Sequence, residues 1–195
     1  MSSDSPTPCT QRYTGSAFPP YRFVPGRNPH PTGHPAGHSY LPPGRKPPPV
    51  AWVPPDRWSD SHDYLYATDL YNYGYWWEAH EAWEGLWQLT DKSGPQGLFL
   101  QGLIQVAACH LKLHVRQRPG VTRLLASSTD YLRRAMSLLD PTPVRYMGLD
   151  ALGFVDRVIA YYAVRLDIQP LAHDDDAYPY IALELRSGGP PGPIA

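Results

Sequence analysis

Cysteine is nearly absent from this chain, and no apolar run is long enough to cross a membrane. The two cysteines are Cys9, in a proline-rich segment, and Cys109, within a predicted helix. Two such cysteines make no disulfide framework, so we expect a reducing compartment and a cytoplasmic location. A spanning helix needs about 20 apolar residues, and the N-terminus lacks a basic patch followed by an apolar stretch. We therefore expect neither a membrane span nor a secretory signal.

An excess of charge of one sign is also missing. Lysine and arginine total 17 and aspartate and glutamate total 18, which gives a net charge of -1. Proteins that bind nucleic acid usually carry a basic patch, so the sequence indicates no nucleic-acid partner. No glycine-rich phosphate loop, Gly-x-Ser-x-Gly or His-Glu-x-x-His motif occurs either. With nucleic acid not indicated, the expected partner is an unknown small molecule or protein. The sequence does not give the oligomeric state.

Proline, in contrast, is abundant and unevenly placed. Of the 24 prolines, 15 lie in the first 55 residues, with few aliphatic residues between them. Such a segment buries too little apolar surface to offset the entropy lost on ordering. We therefore predict that residues 1–57 form a disordered, proline-rich arm.

The rest of the chain has the periodicity of helices and no convincing pair of strands. Gly74 suits a tight reversal after a first helix, Pro95 suits the first position of a third, and Asp150 suits the N-cap of a fifth. We predict an all-α fold, a single compact bundle of about five helices over residues 58–168. Residues 169–195 are expected to form an extended or disordered tail.

The segment Tyr75–Leu89 is the most unusual part of the sequence. It contains four of the six tryptophans, three glutamates and one histidine. In a helix, His80 and Glu84 lie one turn apart on the same face. An aromatic stripe adjoins them, and we expect it to be buried, Trp83 and Trp87 above all.

An imidazole and a carboxylate one helical turn apart can both reach one metal ion. Helical bundles build metal sites from inward-facing Glu and His side chains, and this mixed set suits several divalent transition metals. His80 and Glu84 are thus candidate ligands, Glu81 is a candidate ligand or catalytic proton acceptor, and Glu78 is a further pocket residue. The alternative is a structural role, with His80 bonded to a neighbouring side chain and Glu84 to an indole N–H. Spacing alone leaves both interpretations open.

The predicted third helix carries two polar pairs on opposite faces, and only one pair can face the Trp-rich helix. Gln101 and Gln105 form one pair, and His110 and His114 form the other. Buried polar groups need partners. We therefore expect Gln101 to meet His80 and Glu84 in a pocket between the second and third helices, with Gln105 nearby. We expect one of the two histidines to be a hydrogen-bonded core residue.

The pattern His80-x-x-x-Glu84-x-x-Trp87 resembles the motif of the family called domain of unknown function 309. Leu-Gln-Gly-Leu-Ile-Gln at residues 100–105 and Met-Gly-Leu-Asp at residues 147–150 fit the same family in the same order. The resemblance implies a small all-helical domain with no established reaction. It implies a metal-binding role for His80 and Glu84 and a packing role for Trp87.

These observations lead to two hypotheses about function. The first is a metal-binding domain built on His80 and Glu84, with a hydrolytic or other enzymatic activity that the sequence does not name. The second is a non-catalytic module that binds a protein or ligand through its Trp- and Glu-rich helix.

Overall fold

The computed structural model describes residues 11–167 and 178–185, and its regular elements are helices. A short 3₁₀ helix, Pro55–Asp60, precedes α1, which spans His62–Asn72. The remaining helices are α2 at Trp76–Trp87, α3 at Pro95–His114, α4 at Arg118–Ser137 and α5 at Ala151–Asp167. The predicted all-α bundle of five α-helices is confirmed.

Two of the helices, α1 and α5, begin at capping side chains, and α3 begins at a proline. The Ser61 hydroxyl accepts a hydrogen bond from the Tyr64 backbone N–H at 3.3 Å, which caps α1. Pro95 occupies the first turn of α3, where its missing N–H costs nothing. The Asp150 carboxylate accepts from the Gly153 N–H at 2.9 Å and caps α5 as expected.

The turn between α1 and α2 depends on Gly74. Its φ of +78° lies in the left-handed region, which side chains with a Cβ disfavour. A Cβ there would also lie 2.8 Å from the Arg22 guanidinium. The reversal is closed by the Tyr75 N–H, which donates to the Leu70 carbonyl at 2.8 Å. The two helices therefore form a tight hairpin.

The long helix α3 is the centre of the bundle, packed against α2 on one side and α4 on the other. Gly102 permits the close approach of α4, since a Cβ there would lie 2.6 Å from Leu132. Cys109 is buried in the same helix, and its thiol donates to the Val121 carbonyl at 3.4 Å. Burial raises the pKa of this thiol to about 12, as suits an inert core residue. None of the helices in the described residues has the length and apolar character that are needed to cross a bilayer.

Residues 178–185 lie extended against the bundle. Tyr178, Ile181 and Leu183 are buried there. Asn72, at the end of α1, fixes the segment: its amide donates to the Ile181 carbonyl at 2.7 Å and its side-chain oxygen accepts from the Ile181 N–H at 2.8 Å. Residues 168–177 and 186–195 of the predicted tail lie outside the described residues.

The proline-rich arm differs from its prediction. Over residues 11–57 it has a defined course across α1 and α2 rather than the expected disorder. The buried Asp69 carboxylate on α1 accepts from the backbone N–H groups of Tyr13 and Thr14, both at 2.8 Å, and Phe23 is buried. Composition could not reveal these contacts, because the partners of the arm are buried carboxylates far along the chain. Residues 1–10 lie outside the described part, and the domain boundaries at 57 and 168 stay predictions.

Candidate metal centre

Three potential metal ligands converge on α2. Each of His80, Glu81 and Glu84 offers one ligand atom, and these atoms all lie within 4.8 Å of one another. His80 and Glu84 meet because they are one helical turn apart, and Glu81 adjoins His80. All three residues of the cluster therefore belong to one helix, and the shared face of His80 and Glu84 is the one that the sequence indicates.

The His80 imidazole has an unsatisfied nitrogen. Its side chain is 29% exposed, but Nδ1 is buried and has no hydrogen-bond partner among the described residues. The nearest acidic atom, Glu81 Oε1, lies 3.3 Å from Nδ1. A buried polar atom without a partner is uncommon and calls for an ion, a water or a ligand. This nitrogen thus has Glu81 within ion-pair distance but no hydrogen bond among the described residues.

The tryptophans around the cluster do not satisfy the carboxylates. The indole nitrogens of Trp83 and Trp87 are buried and have no hydrogen-bond partner in the described chain. The alternative in which Glu84 accepts from an indole N–H is therefore not the arrangement observed. Trp83 is fully buried, as predicted. Trp87 is only half-buried, and the Lys92 ammonium lies 4.0 Å from the centre of its ring.

Glu78 is engaged by the arm. One of its carboxylate oxygens accepts from the Phe23 N–H at 2.9 Å and contacts His38 Nε2, also at 2.9 Å. Both the Glu78 and the His38 side chains are almost fully buried. Glu78 and Glu81 line a cavity of about 240 Å³ beneath the arm. Sequence reasoning missed His38, because its only signal was a histidine recurring every four residues among prolines and glycines.

The histidine pair of α3, rather than the glutamine pair, faces the Trp-rich helix. The Trp76 ring lies 5.1 Å from the His110 ring and 5.2 Å from the His114 ring, centre to centre. Gln105 instead contacts Ser127 on α4. Gln101, one turn before Gln105, belongs to that same side of α3. The expected convergence of Gln101 with His80 and Glu84 is not supported by this arrangement.

His110 is the hydrogen-bonded core histidine. Its Nε2 lies 2.9 Å from the Tyr71 hydroxyl and its Nδ1 lies 2.8 Å from the Tyr162 hydroxyl. The Tyr71 hydroxyl donates to the Pro179 carbonyl at 2.8 Å. Nε2–H therefore donates to Tyr71, and Nδ1 accepts from Tyr162. Burial lowers the pKa of His110 to about 3, with smaller contributions from Arg165 and His114, so the ring is neutral at pH 7.

Comparison with known proteins identifies one family. Residues 64–124 match the family model described as Domain of unknown function (DUF309). The match runs from α1 into α4 and includes His80, Glu81 and Glu84, whereas Met-Gly-Leu-Asp at 147–150 lies beyond it. Neither the curated proteins nor the solved structures contain a match. Residues 64–124 of this chain are thus similar to the DUF309 family, whose description assigns no function.

Proposed function

We propose that His80, Glu81 and Glu84 bind a divalent transition-metal ion. The observation that carries this proposal is the cluster of three ligand atoms within 4.8 Å of one another. One of them belongs to an imidazole whose buried Nδ1 forms no hydrogen bond with the described residues. A nitrogen donor with two carboxylates suits zinc, manganese, iron or nickel, and this donor set alone does not select among them.

Three protein ligands on one helix leave coordination positions for water or a small molecule. An ion with an open position supplies Lewis acidity and lowers the pKa of bound water, which is the basis of metal-assisted hydrolysis. Hydrolysis is therefore the reaction class that we assign to this site. The unknown partner is correspondingly a small molecule that reaches the exposed side of α2.

The two glutamates differ in exposure and so in expected role. Glu84 is half-buried, which favours a fixed ligand, whereas the Glu81 side chain is 43% exposed. An exposed carboxylate next to the imidazole can exchange protons with solvent and with a substrate. Glu81 is therefore the residue that we assign as proton acceptor or as the most exchangeable ligand.

The competing function is a helical module that docks a partner through its aromatic stripe. Trp76 is 6% exposed and Trp83 is fully buried, so neither ring presents a surface to a partner. Their burial favours the metal site over the docking module.

The test is metal titration of the full chain, purified without an affinity tag. We expect about one equivalent of Zn²⁺ or Mn²⁺ by calorimetry and elemental analysis, and a loss of affinity of about tenfold or more in His80→Ala and in Glu84→Gln. The matched control is His62→Ala, because His62 is an exposed helical histidine whose Nδ1 lies 3.9 Å from an Asp63 carboxylate oxygen.

Glu81→Gln separates ligand from base. Metal affinity that falls as far as in Glu84→Gln identifies Glu81 as a ligand, and unchanged affinity excludes it as a ligand and leaves only the role of proton acceptor to be tested by activity. Equal metal binding by wild type, His80→Ala and Glu84→Gln would refute the site.

A further inference from the structure

A second cavity lies at the start of α2, where the arm crosses the α1–α2 turn and the end of α3. Its volume is about 280 Å³. The lining combines cationic, amide and aromatic side chains: Tyr21, Arg22, Arg27, Asn28, Trp76 and His114. We call it the Arg22–Arg27 cavity. His80, Glu81 and Glu84 are not among its lining residues, so it is separate from the proposed metal centre.

The two arginines lack an ion pair within the described part of the chain. Neither Arg22 nor Arg27 forms a side-chain hydrogen bond or an ion pair there, although the charge of Arg22 acts on the hydroxyls of Tyr75 and Tyr178. Among the described residues that line the cavity, none is acidic. Both guanidinium groups border the same space, so an anion in the cavity would be attracted by both.

The position of Arg22 is set by the fold. Its guanidinium lies against Gly74, where a Cβ would come within 2.8 Å of Nη1. The glycine that permits the α1–α2 reversal therefore also makes room for the guanidinium. Because Gly74 lies two residues before Trp76, the first residue of α2, Arg22 lies near the positive end of that helix.

Further features of the cavity favour an anion. The side-chain oxygen of Asn28 accepts from the Val24 N–H at 3.3 Å, which leaves its amide N–H₂ as a donor. The first turn of α2 has no side-chain cap, so its dipole adds to the positive potential. The buried indole N–H of Trp76, also in the lining, has no hydrogen-bond partner among the described residues.

We propose that the Arg22–Arg27 cavity binds a compact oxyanion, namely a phosphate group, free or as the monoester of a small molecule. Guanidinium groups match phosphate oxygens in paired hydrogen bonds. The rings of Tyr21 and Trp76 form an aromatic wall that can cover the organic part of a monoester. Oxyanion binding in this cavity does not require a metal ion at the His80 cluster. The oxyanion proposal and the metal proposal can therefore be tested independently.

The test is calorimetric titration of the full chain with inorganic phosphate in low-chloride buffer. We expect saturable binding that weakens with added salt. In Arg22→Ala/Arg27→Ala the affinity should fall about tenfold or more, since two charged hydrogen-bonding groups are removed. The matched control is Arg45→Ala, which removes an exposed arginine from the same arm but outside the cavity.

Two additional measurements keep the result decisive. If circular dichroism shows that the double variant is misfolded, Arg27→Ala alone decides, because Arg27 is exposed and supports no buried contact. Phenyl phosphate distinguishes the source of the ligand: tighter binding than inorganic phosphate indicates a monoester, and equal binding indicates free phosphate. The proposal is overturned if inorganic phosphate does not bind the wild type, or if Arg45→Ala weakens binding as much as the cavity variant.

Discussion

His110 and His80 are both histidines on helices of one bundle, but their surroundings differ. His110 is 1% exposed, and both of its ring nitrogens contact tyrosine hydroxyls. His80 is half-buried beside two carboxylates, with a buried nitrogen that has no hydrogen-bond partner among the described residues. The two histidines therefore differ both in exposure and in how far their ring nitrogens are hydrogen-bonded. Whether the hydrogen-bonding capacity is saturated separates a structural histidine from a candidate ligand.

The largest effect should come from the core that supports His110. Trp83 packs against Tyr71, with ring centres 5.8 Å apart, and Tyr71 contacts His110. Trp83→Ala should lower the free energy of unfolding by about 3–5 kcal/mol through lost burial and a cavity. Trp87→Ala, on the His80 side, should cost about 1–2 kcal/mol because Trp87 is only half-buried. Urea denaturation of both variants measures the two losses of unfolding free energy. Equal losses in Trp83→Ala and Trp87→Ala would contradict the expected difference.

Removal of the His110 side chain should also be costly. His110→Ala leaves the Tyr162 hydroxyl without its imidazole acceptor and opens a space between two helices. An unsatisfied buried hydroxyl together with lost packing should cost about 2–4 kcal/mol. The measurement is thermal or urea unfolding at pH 7, compared with His62→Ala. A loss no larger than that of the exposed control would mean that the tyrosine–histidine network contributes nothing.

The lowered pKa of His110 should make the free energy of unfolding depend on pH. Its pKa is lowered to about 3 in the folded state from an ordinary value of 6.5. Between about pH 3 and pH 6.5, His110 is protonated in the unfolded chain but neutral in the folded chain. The free energy of unfolding therefore decreases as the pH falls below 6.5. One such group contributes a slope of at most about 1.4 kcal/mol per pH unit. Unfolding between pH 7 and pH 4.5 should show a shallower slope in His110→Phe than in wild type, and parallel slopes would show that His110 protonates freely when folded.

The smallest effect on stability should come from His80. Without metal, His80→Ala should change the free energy of unfolding by less than about 1 kcal/mol, since the side chain is partly exposed and lacks a full hydrogen-bond partner. Saturating metal should stabilise wild type, by about 2.7 kcal/mol at 100 times the dissociation constant, and leave His80→Ala unaffected. Thermal shifts with and without Zn²⁺ measure this. A large metal-free loss would mean that His80 is structural, like His110.

The arm shows where composition misled the prediction. In residues 11–54, the part of the arm that the structure describes before Pro55, no regular helix forms, in keeping with the proline content. The same content suggested disorder, but Asp69 and Glu78 provide buried acceptors for the backbone N–H groups of Tyr13 and Phe23. Sequence reasoning gave Glu78 as a further pocket residue of α2 but not its contact with the arm, because nothing local indicates that a segment 55 residues earlier would cover it.

The sequence by itself determined the α-helices, the caps of α1 and α5, and the shared face of His80 and Glu84. These features depend on local periodicity and on capping residues within one or two turns, so no distant contact is needed to predict them. Tertiary structure decided the rest: that His110 and His114 rather than Gln101 and Gln105 face α2, and that the arm brings Arg22 to the start of α2. Such choices depend on which faces of separate segments meet, since burial and the saturation of polar groups arise only when distant parts of the chain pack together.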